Sequence, residues 1–109
     1  MGFVTVCKAS SIRDGEGKGF SVGGRDLAVF RCGEELHAVS SLCTHALADL
    51  SQGSVDRIRH RVECPLHGAE FDLRTGEALS PPAAMPLQVF AVKTENGQVL
   101  VDLSGKQPR

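Results

Sequence analysis

Cys43-Thr44-His45 and Cys64-Pro65-Leu66-His67 are two short segments, separated by 18 residues, that each pair one thiol with one imidazole. One intervening residue in the first and two in the second suit a turn that presents both side chains from one side. Its backbone N–H groups point the same way and can donate to sulfur. Two sulfur and two nitrogen donors on paired turns make the donor set of a metal centre. The rest of the chain supplies short strands, so these segments say what the strands carry.

Two uses of that donor set compete. A tetrahedral Cys2His2 zinc site employs the same side chains, and the sequence does not show which metal is loaded. Structural zinc pairs, however, usually sit as Cys-x2–4-Cys and His-x3–5-His. Mixed segments of one Cys and one His suit two irons with different ligand sets, as in a [2Fe–2S] centre where two histidines replace two cysteines on one iron.

Cys43-Thr44-His45 followed by Cys64-Pro65-Leu66-His67-Gly68 resembles the Rieske signature. Glu70-Phe71-Asp72-Leu73-Arg74-Thr75-Gly76-Glu77, with Ser80-Pro81-Pro82 after it, is similar to small soluble Rieske ferredoxins, and the likeness extends over nearly the whole chain. It implies a [2Fe–2S] cluster bound by Cys43, His45, Cys64 and His67, with the histidines on the outer iron through Nδ1. It also implies an electron carrier rather than an enzyme, working between an NAD(P)H-dependent flavoprotein reductase and a terminal oxygenase, most often an aromatic ring-hydroxylating dioxygenase. A Rieske-like small subunit of a nitrite reductase is the alternative within the family, and a zinc-stabilised binding module the alternative outside it.

High-potential relatives of this type tie the two loops with a disulfide and place hydroxyl donors beside the cluster. Here Leu47 or a neighbour and Leu66 stand where those cysteines would fall, and Ala69 and Phe71 stand where Ser and Tyr would donate. Fewer donors leave the reduced cluster less stabilised, so the expected potential lies near the low end of the span of roughly −150 to +300 mV. The same likeness makes residues 80–86, with three prolines, a rigid flap over the cluster; a simple strand connection is the plainer reading.

At 109 residues, the chain is expected to form one domain, with 41% hydrophobic and 23% charged residues typical of a globular protein. Five Phe and no Trp or Tyr leave few large side chains for the core. A net charge of −1 argues against nucleic acid as a partner. Met1-Gly2-Phe3-Val4-Thr5-Val6 lacks a basic, then apolar, leader pattern, and no apolar run is long enough to span a bilayer, so a soluble cytoplasmic location with no membrane partner is expected.

The pattern along the chain is all-β. Residues 3–8, 19–22, 26–32 and 35–40 read as strands parted by glycine turns, and 57–64 as another, with Ile58, His60, Val62 and Cys64 on one face. On that reading Arg57, Arg59 and Arg61 form a basic row opposite, and His60 is a core histidine. His37 reads as an ordinary strand residue, and Cys7 and Cys32 as strand thiols, Cys32 buried. Residues 69–73 lead to the Thr75-Gly76 turn, and 87–93 and 98–103 pair through Glu95-Asn96-Gly97. The expected architecture is a Rieske-like small antiparallel β barrel or sandwich: a base sheet from about 3–40 and 87–103, a cluster-binding subdomain of two loops from about 43–84, and a frayed tail at 104–109. No nucleophile–base pair or nucleotide fingerprint appears; Val22-Gly23-Gly24 lacks the strand–loop–helix context that dinucleotide binding needs.

Overall fold

The computed structural model describes residues 3–41, 49–65, 68–80 and 85–106, with side chains as far as residue 103. Nine strands follow in order: β1 (Phe3–Lys8), β2 (Gly17–Val22), β3 (Arg25–Cys32), β4 (Glu35–Ser40), β5 (Ser54–Asp56), β6 (Arg61–Glu63), β7 (Glu70–Asp72), β8 (Val89–Glu95) and β9 (Gln98–Lys106). Short 3-10 turns lie at Ala9–Ser11 and Leu50–Gln52.

Six strands form one antiparallel sheet in the order β1-β9-β8-β4-β3-β2, which curls until nearly closed, and β5-β6-β7 form a second. The hairpins of the large sheet follow from turn chemistry. Asn96 (φ 52°) and Gly97 (φ 76°) both take left-handed backbone, as a two-residue turn matched to strand twist requires, and Gly23 and Gly24 do the same between β2 and β3. The glycine pair that fails as a nucleotide fingerprint is therefore a hairpin turn.

β3 sets the layering. Leu27, Ala28, Val29 and Phe30 are all buried, so the strand has no solvent face over that run. Leu27 and Val29 join Ile12, Ala38, Phe90, Val99 and Val101 in one core, inside the curled sheet. Ala28, Phe30 and Cys32 point the other way and meet Leu50, Val62, Cys64, Ala69, Phe71 and Leu73 in a second core, beneath the small sheet. Strand alternation thus divides one apolar run between two cores.

Two expectations change. Residues 57–60 form a turn, not the start of a strand, and β6 begins only at Arg61. Asp56 Oδ1 accepts hydrogen bonds from the backbone N–H groups of Ile58 and Arg59, both at 3.1 Å, and this bends the chain. Ile58 is accordingly 72% exposed, and no arginine row lies along one strand face. Arg57 pairs with Asp14 at 3.3 Å, whereas Arg61 sits 3.9 Å from Glu70. At the other end of the chain, β9 continues to Lys106, paired with Val89, where a frayed tail was expected from 104. Pairing uses the backbone, so it does not need the apolar side chains that Ser104 and Gly105 lack. Residues 107–109 lie outside the described residues.

Candidate metal centre

The segment with Cys64 is the tip of the β6–β7 hairpin, since Glu63 pairs with Glu70. Cys64 N–H donates to the Ala69 carbonyl at 2.7 Å, and Gly68 N–H donates back to the Cys64 carbonyl at 3.1 Å. Gly68 closes this loop with φ +73°, a conformation costly for a residue bearing Cβ. The Cys64 thiol is free of any disulfide and only 1% exposed, seated in the core shared with Val62, Ala69 and Phe71.

The base of the first segment converges on the same end of the small sheet. Leu50 N–H donates to the Ser41 carbonyl at 2.7 Å, pinning the two ends of the span 42–48 together. Asp49 Oδ1 then accepts from Ser51 N–H at 2.9 Å and from its hydroxyl at 2.7 Å, shaping the 3-10 turn. From there the chain enters β5, whose first residue, Ser54, pairs with Glu63. Gly53 lies so close to the Glu63 carbonyl that a Cβ would collide with it. Both predicted ligand segments therefore spring from neighbouring backbone.

Of the four predicted ligands, Cys64 is described; Cys43, His45 and His67 lie outside the described residues, as do Leu47 and Leu66. The donor set fits a cluster with two thiolates and two imidazoles, and a buried, unpaired Cys64 thiol at a hairpin tip suits a sulfur ligand. Ala69 and Phe71 are fully buried and bring no hydroxyl to the hairpin. In the proline segment, 81–84 lie outside the described residues; before them Ser80 Oγ accepts from Glu70 N–H at 2.9 Å, and after them Met85 is exposed.

A second group of side chains that could hold a metal ion was not read from the sequence. Cys32, His37 and His60 place one ligand atom each within 4.8 Å of one another. His37 Nε2 and His60 Nδ1 are 2.8 Å apart, and His60 Nε2 lies 3.4 Å from Glu35 Oε1. Burial holds His37 below the usual imidazole value, with His60 adding to the effect. Burial likewise pushes the Cys32 thiol up to about 11, and the carboxylates of Asp14 and Glu35 push in the same direction. Spacing carries no signal here, because Cys32 and His37 are diagonal neighbours across the β3–β4 hairpin and His60 arrives from the turn before β6.

A family model for the Rieske [2Fe-2S] domain matches residues 2–91. The ferredoxin component of the naphthalene 1,2-dioxygenase system of Pseudomonas putida is 39% identical over 102 residues, which is 94% of this chain and 96% of that protein. The ferredoxin of carbazole 1,9a-dioxygenase from Nocardioides aromaticivorans IC177 superposes with a TM-score of 0.88 at 31% identity, covering 100% of both chains. A ferredoxin in a complex of reduced oxygenase and oxidized ferredoxin in carbazole 1,9a-dioxygenase gives 0.84 at 36% identity, over 98% of this chain and 95% of that one. These relatives are named as ferredoxins, not catalysts. No helix among the described residues is long and apolar enough to cross a membrane.

Proposed function

The chain belongs to the Rieske [2Fe–2S] domain family, and on that premise we propose that it is a cytoplasmic one-electron carrier between an NAD(P)H-dependent flavoprotein reductase and a terminal oxygenase of the aromatic ring-hydroxylating type. The observation that carries this reading is the match, along 98% of the chain, to a ferredoxin found in complex with an oxygenase.

Within this reading, Cys43 and Cys64 supply the thiolate ligands, and His45 and His67 the imidazole ligands. Residues from about 43 to 84 are the cluster-binding unit, set on a base of about 3–40 and 87–103. When bound, the cluster takes up and releases a single electron at modest potential. The chain's part is to hold the sulfur of Cys64 in an apolar core, away from water, and to anchor both loop bases on the Ser54–Glu63 pairing. Ala69 and Phe71 contribute no hydroxyl donor, which supports a potential near the low end of the Rieske span of roughly −150 to +300 mV.

Low-temperature EPR of the dithionite-reduced protein, followed by an NADH-driven oxygenase assay, tests both steps. A rhombic signal of low average g, and product formation that requires this chain, are expected. A colourless sample with stoichiometric zinc would make it a structural metal module. Reoxidation by a nitrite reductase but by no oxygenase would move it to the other branch of the family, and a potential above the middle of the span would overturn the donor argument.

A further inference from the structure

We propose that Cys32, His37 and His60 form a second metal site, suited to zinc and separate from the cluster. Register brings the first two together. Cys32 pairs with Glu35 and Phe30 with His37, so Cys32, Glu35 and His37 share the face of the β3–β4 hairpin that looks toward the small sheet. His60 arrives from that sheet, in the turn before β6.

His60 is held in place from three sides. Its carbonyl accepts from Leu73 N–H at 2.8 Å, its Nδ1 faces His37 Nε2 at 2.8 Å, and its Nε2 faces Glu35 Oε1 at 3.4 Å. Its backbone has φ 57°, left-handed and unfavourable for a side chain with Cβ. The arrangement resembles that of a metal-bound histidine, which turns one nitrogen toward the ion and the other toward a carboxylate that can fix its tautomer.

The donors suit zinc in kind and number. One thiolate and two imidazoles leave a fourth position for water or a carboxylate, as in open tetrahedral zinc sites. A His60 tautomer with Nε2–H toward Glu35 leaves the shared proton on His37 Nε2, 2.8 Å from His60 Nδ1. A Zn2+ ion in its place requires His37 to move that proton to its own Nδ1 and Cys32 to release its thiol proton to water, with no change of oxidation state. The carboxylates of Asp14 and Glu35, which oppose a bare thiolate at Cys32 more strongly than the nearby Arg74 guanidinium favours one, suit a divalent cation there, and Asp56 adds to them.

The site is distinct from the cluster because His60 precedes β6 and Cys64 follows it. Four residues of extended chain span about 13 Å. Loading of one therefore does not need the other, and failure here would leave the electron-carrier reading standing.

The test titrates Zn2+ against a chromophoric chelator with the cluster-loaded protein, whose cluster ligands are already occupied and whose visible spectrum reports folding. One zinc per cluster is expected, with affinity falling at least about a hundredfold in Cys32→Ser and in His60→Asn, and less in Glu35→Gln, which alters orientation only. Zinc X-ray absorption should show one sulfur at about 2.3 Å and two imidazole nitrogens at about 2.0 Å. Equal uptake by wild type and variants, loss of cluster colour as zinc binds, or a first shell without sulfur would each overturn the assignment.

Discussion

The two sheets hold their strands by unlike means. Strands of six to nine residues build most of the large sheet, joined by tight turns and closed over a core of their own. The small sheet has three strands of three residues each, too short to stand alone, and its apolar side chains are buried against β3 and β4 of the other sheet. The hairpin that carries Cys64 thus sits on the shorter-stranded sheet, packed on a floor supplied by Phe30 and Val39.

Substitutions can break this contrast, and the largest effect is expected at Phe71. Phe71→Ala removes a fully buried ring from the shared core at a cost of about 3–5 kcal/mol. Cluster absorbance should then bleach at lower urea than the far-UV strand signal; coincident transitions would show that the sheets melt as one. Val99→Ala, in the other core, should cost about 2 kcal/mol and shift both signals together. Gly53→Ala drives a methyl group into the Glu63 carbonyl, for about 1–3 kcal/mol, and should impair cluster retention more than global stability. Gly97→Ala meets no atom within 4 Å, so it should cost only the strain of φ +76°, about 1 kcal/mol, read from the thermal midpoint.

The smallest effect belongs to Asp56, whose exposed carboxyl is held below its ordinary value first by the Arg59 N–H and then by that of Ile58. A depressed carboxyl stabilises above its unfolded pKa and ceases to do so as pH falls through the folded one. Hydrogen-exchange protection at residues 57–60, taken relative to the intrinsic rate at each pH, should therefore fall in acid, and in Asp56→Ala at neutral pH, while Asp56→Asn, which keeps an acceptor oxygen, changes little.

How legible each region was follows the same division. Asn96-Gly97 announces a hairpin, and the apolar run through Leu27 and Phe30 a strand, because turn residues and strand pattern are local facts; that both faces of that strand are buried follows only from the two cores it divides. The small sheet is settled by contacts between distant segments. Ile58, His60 and Val62 alternate like a strand, yet Asp56 turns the chain, a signal that the alternation hid. The Cys43-Thr44-His45 and Cys64-Pro65-Leu66-His67 spacing could be read as a donor set because each pair lies within three or four consecutive residues. Cys32, His37 and His60 carried no such mark, since their proximity exists only after β3, β4 and the 57–60 turn have packed.

The outermost strand pair closes the molecule in another sense. β1 and β9 lie side by side, with Phe3 opposite Asp102, so the first and last described strands end within a short linker's reach. Joining them and opening the chain at Gly23-Gly24 would yield a circular permutant with both ligand segments in one uninterrupted polypeptide. The β1–β9 edge is also a natural place to fuse a redox partner in cis, because a tether there adds no residue to either predicted ligand segment.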